Sequence, residues 1–233
     1  MMNTNKTTTR HSYPAKQYQS DNANITSYQQ LITDNPLATL IFNQNSTIEI
    51  SHVPCHFAIN TTSDDKVALD KTLLNAHISN SHPLVPQLKR EKEVLLNLVF
   101  HGHDAYISPT DVSKENSRAQ MVPTWNYAKV HVTGMASEIT DLDQKYLHMM
   151  NTTNYFEDIL LKQSRSKPWS IEQAPATAIE KMLSAITIFT IKIIQLEGRY
   201  KLSQNKSSQV RAEIAKQLTV RGKTELGQFM STV

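Results

Sequence analysis

Cysteine and long apolar runs are what this 233-residue sequence most plainly lacks. Cys55 is the single cysteine, which excludes an internal disulfide and is typical of a cytoplasmic protein. The longest apolar stretches, such as 185–194, are interrupted by Thr and Lys well short of the roughly 20 residues that a membrane span requires. The polar N-terminus has no apolar stretch behind its basic residues, so we expect neither a secretory signal nor contact with a membrane.

Glycine is also scarce, with five residues in the whole chain. Loops that cradle phosphate groups are built from glycine, and no G-x-G-x-x-G pattern occurs. Gly222-Lys223-Thr224 resembles the end of a P-loop, but Gln217 stands where the first glycine belongs. No serine lies in a Gly-x-Ser-x-Gly elbow that would activate it as a nucleophile. From motifs alone, therefore, we assign no catalytic residue.

Concentrated charge is absent as well. The formal net charge is +3, and lysines and arginines are dispersed, which permits contact with DNA but does not demand it. His52, Cys55 and His56 are residue types that zinc favours, yet positions four apart on a strand lie about 13 Å apart. We predict no metal site.

What the sequence does contain is a succession of short strand-like segments. Turn residues at 43–46 separate two of them, and residues 125–139 alternate apolar with polar side chains as a half-buried strand does. Six or seven such segments are joined mostly by short links, without the strand and helix alternation of a parallel sheet. The prediction is a mainly β fold with α additions, an antiparallel barrel decorated by helices.

The same pattern predicts three regions. Residues 1–24 are polar and predict a mobile N-terminal arm, and residues 25–205 predict one barrel domain with a helical insertion at about 141–184. Residues 206–233 predict a C-terminal helical appendage.

The segment 122–134 is the most informative in the chain. Trp125, Asn126 and Tyr127 crowd the entrance of a predicted strand, where two flat aromatic faces and an amide suit a planar heteroaromatic ligand. A buried tryptophan that anchors the barrel is an equally good interpretation of the composition.

Short motifs occur in a fixed order along the chain. They are Asn35-Pro-Leu-Ala-Thr-Leu40, Ser51-His-Val-Pro54, Ala76-His-Ile-Ser79, Ala105-Tyr-Ile-Ser-Pro109, Val122-Pro-Thr-Trp-Asn-Tyr127, Val130-His-Val-Thr-Gly134 and Lys201-Leu-Ser-Gln-Asn205. In this order the motifs resemble the PaiB-type family of FMN-binding negative transcriptional regulators. The resemblance implies a split β-barrel of the flavin-reductase and pyridoxamine-phosphate-oxidase type, and a homodimer with FMN at the subunit interface. It also implies a regulatory role linked to repression of protease synthesis and sporulation.

By the same resemblance, eleven positions are candidates for the flavin pocket. The family commonly has Arg or Lys at the position of Asn80, where a positive charge would suit a phosphate, so we expect FMN binding to be weakened here by about 10- to 150-fold. The candidates are Ser51, His52, His77, Ser79, Asn80, Trp125, Asn126, Tyr127, His131, Gln204 and Asn205.

Three functions follow from this interpretation. The first is an FMN-binding transcriptional repressor that acts as a homodimer in the cytoplasm. The alternative is a flavin-dependent oxidoreductase of the split-barrel class acting on a small substrate. The third is direct DNA binding through the helices predicted at 208–218 and 223–230. The competing interpretation is that these helices only pack against the rest of the protein.

Overall fold

The computed structural model describes residues 25–58, 73–116, 121–161 and 167–231. The predicted arm, residues 1–24, lies outside the described residues. The sequence also predicts a third strand at 67–78, of which residues 67–72 lie outside them.

The described residues form six α-helices and seven β-strands. The sequence predicts a buried strand at 94–100 and further β structure at 105–108, and the structure joins both in one strand. The buried positions change from even to odd numbers within it, because His103 and Asp104 follow each other without full burial between Gly102 and Ala105. The helices are α1 Ile25–Asp34, α2 Val85–Arg90, α3 Leu142–Leu161, α4 Ala176–Ser184, α5 Ser208–Val220 and α6 Thr224–Ser231. The strands are β1 Leu37–Gln44, β2 Thr47–Pro54, β3 His56–Phe57, β4 Leu73–Ser79, β5 Val94–Ile107, β6 Thr124–Ile139 and β7 Ile186–Lys201.

The first hairpin shows how local sequence sets strand pairing. Asn45 and Ser46 both have positive φ, 49° and 68°, which is the two-residue turn whose twist matches antiparallel strands. β1 and β2 therefore pair without interruption from Gln44 opposite Thr47 to Leu37 opposite Pro54.

The seven strands form one sheet in the order β2-β1-β5-β6-β7-β4-β3. β2 and β3 are the two edges of this order, yet Cys55 alone separates them in the chain. A sheet whose two edges are joined by one residue must curl back on itself, so the strands close a barrel. Its interior is filled by inward residues such as Leu40, Phe42, Leu98 and Ile191, all at most 3% exposed.

The chain divides into two compact units. The barrel unit comprises residues 25–102 and 129–197, and the second unit holds the described residues of 103–128 and 198–233. The boundaries between the two units lie within strands β5, β6 and β7 and not in linkers. The domain boundaries expected from the sequence stay a prediction.

The C-terminal helices α5 and α6 pack closely on each other within the second unit. A Cβ placed on Gly227 of α6 would lie 2.9 Å from the carbonyl oxygen of Ala215 in α5, so glycine is needed at the crossing. Ile214, Leu218 and Leu226 are fully buried. The two helices thus share an apolar core.

The predicted fold class, mainly β with α additions, is confirmed. Within the described ranges, none of the helices combines the length and apolarity that a bilayer crossing needs.

Candidate functional site

The adjacent candidates Ser51 and His52 lie on opposite faces of β2. Ser51 pairs with the buried Leu40 and faces inward, while His52 pairs with Thr39 and is exposed on the outer face. Leu84 N–H donates to Nδ1 of His82 (3.1 Å), so the ring proton is on Nε2, which donates to Ser51 Oγ (2.9 Å). Ser51 is thereby tied to His82, and His52 is the member of the pair that is accessible from outside.

The outer face continues from His52 across three more strands. Thr39 of β1 pairs with Val99 of β5. Thr133 Oγ1 donates to Asn97 Oδ1 (3.0 Å) and Lys129 Nζ donates to the Gly102 carbonyl (3.1 Å). Residue numbers therefore rise along β6 in the direction in which they fall along β5, so the two strands are antiparallel.

His131, midway between these two contacts, therefore lies beside Val99. The structure brings His52, Thr39, Val99 and His131 into one row, which we call the outer row. With strands about 4.8 Å apart, this row is about 14 Å long, enough for a planar three-ring ligand.

Both sides of the outer row carry polar and apolar groups, with His101 and the 58% exposed Leu37 on one side and Asn97 and Ile41 on the other. On one side His101 Nε2 lies 2.8 Å from Thr39 Oγ1. On the other side Ile41 pairs with Ile50, which is 63% exposed. The sequence analysis does not single out Thr39 or His101 as site residues, because their proximity depends on the pairing of β1 with β5.

His77 and Ser79 occupy the outward positions of β4. His77 pairs with Ile188 of β7, and its Nδ1 is a buried atom without a hydrogen-bond partner. Burial lowers the pKa of His77, because a charged imidazole is poorly solvated there. Ser79 is exposed, and its Oγ lies 2.9 Å from Ser81 Oγ.

Both polar atoms of the Asn80 side chain form hydrogen bonds to other residues of the barrel unit. Its Nδ2 donates to the Ser184 carbonyl (2.7 Å), and its Oδ1 accepts from Thr187 Oγ1 (2.8 Å). The backbone N–H of Asn80 donates to the Ala185 carbonyl (3.0 Å). Asn80 thus fastens the end of β4 to the start of β7, and its role toward a phosphate stays a prediction.

The remaining strand candidates lie in the second unit. Trp125 is 55% exposed and meets Tyr106 edge-on with ring centroids 6.2 Å apart. Tyr127 is half-buried. Asn126 is fully buried; its Nδ2 donates to Ser203 Oγ (3.0 Å), and Ser203 Oγ donates back to Asn126 Oδ1 (3.2 Å). Trp125 is therefore not a buried anchor of the barrel, and ligand binding by this segment stays a prediction.

The motif at 201–205 is a tight turn in the second unit. Ser203 has a φ of 58°, a conformation that is unusual for a residue with a side chain. Gln204 holds the turn by donating to the Tyr200 carbonyl (2.7 Å) and accepting from Leu202 N–H (2.7 Å), while Asn205 is exposed. Gln204 therefore has a structural role in the turn, and Asn205 is the most exposed residue of the motif.

No group of three or more His, Cys, Asp or Glu side chains within the described ranges could hold a metal ion.

Comparison with known proteins gives a family and several relatives. The family model described as "Putative FMN-binding domain" matches residues 12–195. The protease synthase and sporulation protein PAI 2 of Bacillus subtilis is 26% identical over 189 residues, which are 80% of this chain and 80% of that protein. An uncharacterized protein of Emericella nidulans is 28% identical over 209 residues, 78% of this chain and 81% of that protein.

Among solved structures, the flavocytochrome Anf3 from Azotobacter vinelandii is similar with a TM-score of 0.50. The identity is 15%, and the match covers 76% of this chain and 67% of that chain. This likeness concerns the fold alone.

Proposed function

The chain belongs to the FMN-binding domain family whose model spans residues 12–195, and from this premise we propose that it is a homodimeric, FMN-binding regulatory protein of the cytoplasm. The observation that carries the proposal is the outer row, which sets two histidines and a threonine beside an apolar strip on the outside of the barrel unit. FMN, when bound, supplies one- or two-electron redox chemistry.

The outer row suits the flavin ring system chemically. An imidazole donates or accepts a hydrogen bond according to its tautomer, and a hydroxyl does both, which matches the carbonyl oxygens and N–H group of a flavin. Ile41 and Ile50 offer the apolar surface that a ring system prefers. We propose that His52, Thr39 and His131 hold the ring, with His77 and Ser79 as the further candidates of the barrel unit predicted from the sequence.

FMN titration of the purified protein tests this site. Flavin fluorescence and absorbance should change on binding, and His52→Ala or His131→Ala should each weaken binding about fivefold, the effect of one hydrogen bond. His103→Ala is the matched control, since His103 is an exposed histidine of β5 outside the outer row. Full affinity in both His52→Ala and His131→Ala would exclude the outer row, and no binding by the wild type would exclude the cofactor.

The homodimer is proposed from an apolar strip next to the outer row. Ile48, Ile50 and Leu95 are 64%, 63% and 54% exposed, although the outer face of an antiparallel sheet is usually polar. The other outward side chains of this strip, Ile41, Asn43 and Asn97, carry no charge. An uncharged apolar strip fits a second copy of itself about a two-fold axis without like-charge repulsion.

Sedimentation of a charge variant tests the dimer. Ile50→Lys should convert the protein to a monomer, because an ammonium group cannot be buried unpaired in the interface. Ile194→Lys is the control, since Ile194 of β7 is 56% exposed and lies outside the strip. A dimer that survives Ile50→Lys, or a monomeric wild type, would contradict the proposed face.

Regulation, rather than catalysis, is proposed from the name of the Bacillus relative. The FMN-loaded protein should oxidise NADH or NADPH no faster than free FMN; rapid oxidation would favour the alternative, a flavin-dependent oxidoreductase of the split-barrel class.

Direct DNA contact has little support from α5 and α6. Arg211 NH2 donates to the Met230 carbonyl (2.5 Å) and Arg221 pairs with Asp111 (2.9 Å), so both arginines of these helices and the turn after α5 are engaged within the second unit. If DNA is bound there, the exposed Lys216 and Lys223 must carry it, and charge reversal at both should abolish gel retardation. Retardation that persists in this variant would place DNA elsewhere.

A further inference from the structure

Helix α3 covers the outward side of β3 through a cluster of aromatic side chains. His148, Thr152, Tyr155 and Phe156 share one face of the helix by their three- and four-residue spacing. The His56 ring of β3 stacks on Tyr155 with centroids 4.7 Å apart and meets Phe156 edge-on at 5.8 Å. We call His56, His77 and His148 the histidine cluster.

His56 is held as a neutral imidazole in one tautomer. Its Nδ1 donates to the Phe57 carbonyl (2.9 Å), which can only accept, so Nε2 accepts from the Thr152 hydroxyl (2.8 Å). The ring is 1% exposed. Both nitrogens of the neutral form are thus satisfied, one within the sheet and one from α3.

The other two imidazoles each keep a buried nitrogen without a partner. These atoms are Nε2 of His148 and Nδ1 of His77. His148 is 5% exposed, and its ring centroid lies 6.3 Å from that of His56. Burial, reinforced by the neighbouring imidazoles His56 and His77, lowers the pKa of His148 to about 4.

The charged forms of the cluster would act mainly on one another. The electrostatic effects on His56 and His148 come from the other imidazoles. From α1, Asp34 and Thr33 act on the Tyr155 hydroxyl, whose pKa burial raises. A proton taken up here would therefore meet desolvation, and a second proton would also meet like charge.

We propose that α3 is an acid-released cover, which detaches from β3 when the histidine cluster takes up protons and so exposes His56. The helix is the part that moves because it is held at this contact by side chains, whereas β4 is held to β7 by a ladder from Leu73 to Ser79. Release lets His148 become solvated without breaking that ladder. This inference stands independently of the proposed function, although His77 is also a predicted flavin residue.

Hydrogen exchange across α3 measures the release. For one group that titrates near 6.5 when solvated and near 4 when covered, the opening equilibrium rises about 30-fold between pH 8 and pH 5. Exchange of the α3 amides, corrected for the intrinsic pH dependence, should increase by at least that factor, while β5 amides stay protected.

Trp169 provides a second readout, because its backbone N–H donates to Glu157 Oε2 of α3 (2.9 Å). The chain has two tryptophans, so Trp125→Phe leaves Trp169 as the sole emitter, and its emission should change over the same pH range.

His148→Phe removes the covered proton acceptor and keeps an aromatic ring against His56. This variant should lose most of the pH dependence of α3 exchange, and His103→Asn, which changes an exposed histidine, should keep all of it. Equal α3 protection at pH 8 and pH 5 in the wild type would overturn the proposal, as would an unchanged pH dependence in His148→Phe.

If His148→Phe fails to fold, the wild-type imidazole resonances decide. A His148 that titrates near 6.5 in the native protein would contradict a covered cluster, and one that titrates near 4 to 5 together with α3 exchange would support it.

Discussion

A single methyl group added at Gly134 of β6 should lower the free energy of unfolding of the barrel. A Cβ added there would lie 2.5 Å from Cγ2 of Ile191 and 2.8 Å from the carbonyl oxygen of Lys192. The Ile191 side chain is fully buried and the Lys192 carbonyl belongs to the backbone of β7. Neither neighbour can withdraw without disturbing the packing or the backbone of β7, so Gly134→Ala forces β6 and β7 apart.

The magnitude follows from two opposing effects. Overpacking a tight interior costs about 1 to 3 kcal/mol, and contact with both a buried side chain and a backbone atom puts Gly134→Ala at the upper end. Replacing glycine also reduces the entropy of the unfolded chain, which returns about 0.4 to 1 kcal/mol. The net loss is about 2 kcal/mol, which for a protein of this size lowers Tm by about 4 to 8 °C.

Urea unfolding followed by circular dichroism measures this loss directly. Gly222→Ala is the control: Gly222 has a φ of 74° and open space around its Cα, so alanine there meets backbone strain of about 1 kcal/mol but no clash. A Gly134→Ala protein as stable as the wild type would show that the entropy effect dominates and that β6 and β7 are not closely apposed at this point.

Three further predictions concern buried polar groups. Asn126→Ala should cost about 1 to 3 kcal/mol of unfolding free energy, since it strands the hydroxyl of Ser203; if a folded Asn126→Ala protein instead loses FMN affinity, Asn126 belongs to the flavin site. Burial raises the pKa of the Cys55 thiol to about 12, so an aromatic disulfide reagent at neutral pH should react only after unfolding, and rapid reaction of the native protein would show Cys55 to be accessible. Arg221→Ala should cost about 1 to 2 kcal/mol, because the Asp111 side chain is 8% exposed and loses its cation; a double-mutant cycle with Asp111→Ala that gives no coupling would refute this.

Much of the secondary structure and the family could be predicted from local patterns. The turn residues at Asn45 and Ser46 and the alternation through Val130 and Val132 predicted the first hairpin and β6, and the structure confirms both. The helix predicted from Leu142 to Leu161 is also confirmed. The family inferred from the ordered motifs is confirmed by the match to residues 12–195.

The composition of the site required the tertiary structure. His52 and His131 are far apart in the chain, and only the pairing of β1 with β2 and β5 puts Thr39 and Val99 between them. The sequence analysis considered only that Asn80 lacks a positive charge. The structure shows that its amide group links the end of β4 to the start of β7. These facts depend on which strands become neighbours.

The amino-acid sequence by itself determined the elements, because backbone conformation and the period of apolar residues are set by groups a few positions apart. The tertiary structure alone decided that β2 and β3 meet across one residue to close a barrel, and that His148 of α3 is buried next to His56 of β3. Strand register and helix docking arise from contacts between residues distant in the chain, whose free energy depends on every intervening segment and leaves no local pattern.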